Sequence, residues 1–170
     1  MSEPAVDFER LLRELTESGV EFVVVGGVSA FLQGAPVVTF DLDIVHRRTA
    51  DNIARLQEVL GRLGARYRTV AARDRAPGLS HLESAGHQLL ITRAGPLDVF
   101  GSIGKGEIYE DLLPKSVEVE LGDLKVRILR LEEVIRIKEE LGFPKDLAVL
   151  EILRATLRQS DDPDPPGRSR

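Results

Sequence analysis

Thr39-Phe40-Asp41-Leu42-Asp43-Ile44-Val45 is the stretch that decides how this chain is read. Successive side chains of an extended strand alternate between faces, so this run would project Asp41 and Asp43 from one face and Phe40, Leu42 and Ile44 from the other. Such a strand buries one side and holds paired negative charge on its other side. Two carboxylates that close repel one another, so either one takes up a proton or a cation sits between them. Hard divalent cations such as Mg²⁺ prefer oxygen ligands of this kind.

Upstream, Glu21 to Val25 reads as a short buried strand ended by Gly26-Gly27, and Val28 to Gln33 as a helix that starts at once after the glycines. Backbone N–H groups at such a strand-to-helix transition face outward, and the missing side chains let a phosphate come close. Ser29 adds a hydroxyl in the first turn. Asp41 lies fourteen positions after Gly27. That is enough for one helix and a turn, so the aspartate strand can return beside the strand that ends at Val25, putting glycines and carboxylates at one sheet edge.

Downstream, Asp98 lies in Pro96-Leu97-Asp98-Val99-Phe100, with Leu97 and Val99 pointing one way and Asp98 the other. A charged group among such neighbours needs a partner. If this strand pairs beside the aspartate strand, the three carboxylates meet on one face and can hold one or two Mg²⁺ ions in a phosphoryl-transfer geometry. Lys138 falls four residues after Val134 and seven after Leu131, on the helical stripe that should face the core. There it either snorkels outward or reaches an anion, whether a buried carboxylate or ligand phosphates. Asp146 sits where a helix begins, as a capping or dipole-matching residue.

The remaining elements follow from periodicity. Phe8, Leu11, Leu12 and Leu15 mark an amphipathic helix over Asp7 to Ser18, and Ile53, Leu56, Val59, Leu60 and Leu63 mark another over Ala50 to Leu63. Ala71 to Ser84 reads as an irregular connection. Gln88–Thr92 with Leu97–Phe100, and Ser116–Leu121 with Leu124–Leu129, read as two hairpins. Leu131–Leu141 and Lys145–Arg158 read as helices. The expected fold class is α+β, a small mixed central β-sheet with helices packed on it plus a C-terminal helical pair. Residues 1–129 would form the core, 130–159 the helices docked on it in the same unit, and 160–170, rich in Asp, Pro, Gly and Ser, a disordered tail.

Bulk properties bound the function. The 170 residues carry a formal charge of −5, with 42% hydrophobic and 30% charged residues, as in an ordinary soluble globular protein. That balance argues against a broad basic face for duplex nucleic acid. The arginines Arg62, Arg66, Arg68, Arg73 and Arg75 read as solvated surface. No apolar run is long enough to span a bilayer, and Met1 to Val6 has no signal-peptide features, so a cytoplasmic location with no membrane partner is the expectation. The absence of cysteine excludes disulfides, thiolate metal sites and a cysteine nucleophile.

Taken together, Gly26-Gly27, the helix after it, Thr39-x-Asp41-x-Asp43 and a later strand with Asp98 resemble the nucleotidyltransferase superfamily with the DNA polymerase beta-like fold. More narrowly, the Gly-Gly-Val-Ser-Ala start, Gly34, the Asp-Leu-Asp-Ile run and Lys138 followed by Pro144-Lys145-Asp146 are similar to small stand-alone bacterial and archaeal nucleotidyltransferases, a group that includes abortive-infection-type toxins. The resemblance spans about residues 7 to 158. It implies that Gly26, Gly27 and Ser29 hold a nucleoside triphosphate such as ATP, and that Asp41 and Asp43 bind Mg²⁺. Asp98 would complete the metal site or serve as base toward an acceptor hydroxyl, and Lys138 would contact the phosphates or the acceptor. The implied chemistry is in-line attack on the α-phosphate of the triphosphate, with a protein, an RNA or a small molecule as acceptor. Many relatives carry an arginine shortly before the threonine, where this chain has Val37-Val38; Arg47 or Arg48 would be the replacements.

Three functional readings follow. The first is an active Mg²⁺-dependent nucleotidyltransferase. The second is an inactive nucleotide-binding or protein-interaction module on the same fold. The third is a toxin held by a cognate antitoxin.

Overall fold

Phe22–Val25 (β1) is four β-branched or aromatic residues, all buried, and it forms the spine of the molecule because both its faces are covered. The computed structural model describes residues 5–161. Around β1 stand Leu42–His46 (β2), Arg66–Tyr67 (β3), His87–Thr92 (β4), Gly95–Phe100 (β5), Ser116–Leu121 (β6) and Leu124–Leu129 (β7), in the order β3-β4-β5-β2-β1-β7-β6. The β1/β7 and β2/β5 pairs are parallel and the others antiparallel, so the sheet is mixed. The helices are Phe8–Glu17 (α1), Gly26–Leu32 (α2), Ala50–Arg62 (α3), Leu79–Glu83 (α4), Tyr109–Leu112 (α5), Leu131–Leu141 (α6) and Leu147–Asp161 (α7).

Side-chain parity divides the core in two. Val24, Leu42, Ile44, Leu97, Val99 and Ile128 pack with the apolar stripes of α1 and α3 in one cluster. Val23, Val25, Val45 and Leu129 pack with Leu131, Val134 and Ile137 of α6 and Leu150 and Leu153 of α7 in the other. α1 is started by Asp7, whose Oδ1 accepts the Arg10 N–H at 3.0 Å. α6 is stopped by Gly142 in the left-handed region, at φ 65°.

The structure departs from the sequence expectations at several ends. The aspartate strand begins at Leu42, so Phe40 lies before the pleat and is 75% exposed instead of buried beside Leu42 and Ile44. α2 begins at Gly26 itself. The segment read as irregular, Ala71 to Ser84, contains α4. β3 and α5, of two and four residues, were not foreseen. α7 continues to Asp161, so Ser160 and Asp161 are helical, and the rest of the expected tail lies outside the described residues. Among the described residues no helix is long and apolar enough to cross a membrane.

Candidate active site

Register builds the site. β2 lies parallel to β5 with Asp43 opposite Asp98, and antiparallel to β1 with Asp43 opposite Val25. Asp43 is thus flanked by Asp98 on one neighbouring strand and by the end of β1 on the other. Leu42 and Ile44 of β2, and Leu97 and Val99 of β5, point to the α1/α3 face, which leaves Asp43 and Asp98 on the face that carries α6 and α7. Asp41 stands just before β2. One carboxylate oxygen from each of Asp41, Asp43 and Asp98 lies within 4.8 Å of the others.

Crowding shows in the proton affinities. Burial, then repulsion from Asp41 and Asp98, pushes the Asp43 carboxyl up to about 8. Burial likewise raises Asp98, to about 6, against the pull of the Arg68 guanidinium. The Asp98 side chain is only 8% exposed, and its Oδ1 has no aligned hydrogen-bond donor. Arg68 Nη2 stands 2.7 Å from that oxygen, close enough for an ion pair but not directed as a hydrogen bond. A buried acceptor oxygen with an unmet valence, beside two more carboxylates, fits a hard divalent cation.

Gly26 closes the site from the β1 side. Its φ is 66°, and a Cβ there would stand 2.3 Å from Asp43 Oδ2. A Cβ on Gly27 would stand 2.9 Å from the Thr39 side chain. The two glycines therefore let α2 start directly against the aspartate segment. On either side of Gly26 open two cavities, one of about 260 Å³ reaching Asp43, Phe143 and Lys145, the other of about 160 Å³ reaching Gly27 and Thr39. Lys138 lines both.

Lys138 reaches this place from α6, and its Nζ stands 3.2 Å from Asp146 Oδ1. Of the two anions its sequence position allowed, a carboxylate is the one in contact. Ser29 is a correction: it is fully buried, its hydroxyl donates to the Leu129 carbonyl at 2.6 Å, tying α2 to β7, and it lines neither cavity. Neither proposed replacement for the missing arginine reaches the triad. Arg47 pairs with Glu21 and Glu110, and Arg48 donates to the Glu83 carbonyl. Val38 is 82% exposed.

The residue that the sequence missed is Arg68. Read as one of several surface arginines, it instead faces Asp98, with Asp41 Oδ2 at 3.8 Å from its Nη1. Only the two-residue strand β3, invisible to periodicity, aims it there.

No protein-family model matches the sequence, and no curated protein matches it. In three dimensions it does have likenesses. A candidate nucleotidyltransferase from Thermotoga maritima superposes with a TM-score of 0.55 at 21% identity, covering 89% of this chain and 90% of that one. The chain has the nucleotidyltransferase fold. The antibiotic-resistance factor ANT(2'')-Ia superposes with a TM-score of 0.50 at 17% identity, with 89% of each chain covered. At these identities what is shared is the fold, so the chemistry of the site rests on the residues described above. Within that nucleotidyltransferase fold, Asp43 and Asp98 lie on two adjacent strands of the sheet, Asp41 just before the first of them, and the glycines at the end of a third.

Proposed function

We propose that the protein is a Mg²⁺-dependent nucleotidyltransferase that moves a nucleoside monophosphate from a nucleoside triphosphate to a hydroxyl of a protein, RNA or small-molecule acceptor. The observation that carries this reading is the convergence of Asp41, Asp43 and Asp98 within 4.8 Å beside Gly26. These three residues would hold the divalent cation, which when bound supplies charge to neutralise the phosphates and the leaving pyrophosphate.

The chain's own residues account for the rest. Gly26 and Gly27 present backbone without side chains, so the triphosphate can lie against them. Lys138 lines both cavities, which supports a role in contacting phosphate oxygens. The acceptor hydroxyl forms the new bond to the α-phosphorus as the bond from that phosphorus to the bridging oxygen breaks, and pyrophosphate leaves. Asp98 would either complete the metal site or take the hydroxyl proton as base. A cytoplasmic setting and a toxin held by an antitoxin are compatible with the cysteine-free sequence and with its resemblance to abortive-infection-type toxins.

A second reading, a binding module without turnover, draws on Val37-Val38 where relatives carry arginine, and on Arg68 standing against the carboxylates. Incubation with nucleoside triphosphates labelled at the α- or γ-phosphate, with Mg²⁺ and a cell extract, separates the two. Transfer of α-label alone, lost on adding EDTA and reduced at least about a hundredfold in Asp43→Asn, is expected of the enzyme. Nucleotide binding with no label transferred would leave only the module.

A further inference from the structure

We propose that Arg68 is the resident counter-ion of the carboxylate triad, a positioning residue whose guanidinium yields Asp98 and Asp41 when a divalent cation binds. The inference rests on the metal-site reading above and extends it to a residue that neither the glycine motif nor the aspartate motif contains.

Arg68 follows β3 directly, and its N–H donates to the Leu89 carbonyl at 3.0 Å. Leu89 is in turn the cross-strand partner of Asp98. The backbone of Arg68 is therefore fixed one strand away from Asp98, and the preceding Tyr67 is fastened too, by its hydroxyl to Gln88 Oε1 at 2.6 Å. From this anchored base a long, 29% exposed side chain reaches across β4 to the triad. Its grip there is single and not forked. The 2.7 Å contact with Asp98 Oδ1 is unaligned and the 3.8 Å contact with Asp41 Oδ2 is long, so neither is the forked, bidentate pair that arginine makes with a carboxylate at full strength.

Electrostatics then sets a competition. A buried Asp98 without any cation nearby would be costly, and Arg68 meets that need in the metal-free protein. A divalent cation seated among the same oxygens would lie within a few ångströms of the guanidinium. Two positive centres so close repel strongly in a half-buried site. Metal entry therefore moves the side chain while the anchored backbone stays. Arg68 is then free at the rim of the site, where an arginine has the geometry to meet phosphate oxygens.

Two measurements test this on the full chain. Calorimetric titration with Mn²⁺ alone, without nucleotide, is expected to show at least about tenfold tighter binding in Arg68→Gln than in the wild type. Equal or weaker binding in Arg68→Gln would overturn the inference. Nitrogen-15 NMR of the arginine side chains of the wild type provides the second readout. The Arg68 Nε–H signal, assigned in the wild type by through-bond correlation to its own backbone amide, is expected to shift on saturation with Mg²⁺, with faster rotation of its Nη groups. A signal unmoved by saturating Mg²⁺ would show the guanidinium staying in place and overturn the inference even if the substitution impaired folding. If neither protein binds Mn²⁺, the metal-site reading falls and this inference falls with it, an outcome distinct from wild-type binding that is insensitive to Arg68.

Discussion

Gly26 is where backbone and chemistry constrain each other most tightly. Its left-handed φ alone would cost an alanine about 1–2 kcal/mol. The Cβ would also fall on Asp43 Oδ2, and that carboxylate would have to move. Gly26→Ala is accordingly expected to lower stability by about that amount or more in denaturant titrations, and to reduce nucleotide transfer at least about tenfold through the displaced Asp43. Ser29→Ala separates a structural from a binding role: it should cost about 1 kcal/mol, through the lost hydrogen bond to Leu129, while nucleotide affinity stays as in the wild type. A large affinity loss would return Ser29 to the binding site. The shared face of Asp43 and Asp98 was legible from alternation, because parity within a strand depends only on residue spacing. Phe40, Ser29 and Arg68 were not. Their directions depend on where β2 starts, on how α2 docks against β7 and on a strand too short to leave a pattern.

Elements with a clear period, or with a continuous apolar run as in β1, were the readable ones. β4, β5, β6, β7, α1, α3 and α6 stand within a few residues of where alternation or helical spacing put them. β3 and α5 span too few residues to show any period: β3 forms by pairing with β4, far away in sequence, and α5 is a single turn whose N–H groups bond locally to the Ile108 carbonyl. The C-terminal helices are joined to the site by the Lys138–Asp146 pair, whose side chains are 25% and 13% exposed. Lys138→Met leaves Asp146 without that partner and is expected to cost about 1–3 kcal/mol. Adding Asp146→Asn should recover most of this stability but not the nucleotide affinity, measured by calorimetry. A double variant that binds nucleotide like the wild type would confine Lys138 to a structural role.

For the molecule as a whole, the sheet works as a partition. One face is closed by α1 and α3, while the other is covered by α6 and α7 only in part, leaving the acids of β2 and β5 at the glycine edge. The arrangement loads folding with a charge problem. The Asp43 pKa rises from 3.8 to about 8, so across that interval the native state binds more protons than the unfolded chain, and stability falls as pH rises until it levels above about 8. Asp98, raised only to about 6, acts in the lower part of the interval, and His46, lowered by burial, acts below its usual 6.5. Between pH 6.5 and 8.5 the loss is therefore mainly that of Asp43. Urea titrations in EDTA should show it in the wild type and a flatter profile in Asp43→Asn, and Mg²⁺ should offset it by binding the ionised native site. A wild-type profile with no fall over that range would contradict the crowding of the three acids.

The account stands on three carboxylates sharing one divalent cation beside Gly26, and anomalous diffraction from crystals grown with Mn²⁺ and a non-hydrolysable nucleoside triphosphate tests it most directly. The expected result is a manganese peak about 2–2.5 Å from oxygens of Asp41, Asp43 and Asp98, with phosphate oxygens on its open side. Manganese bound elsewhere, or a nucleotide seated away from these three residues, would contradict it.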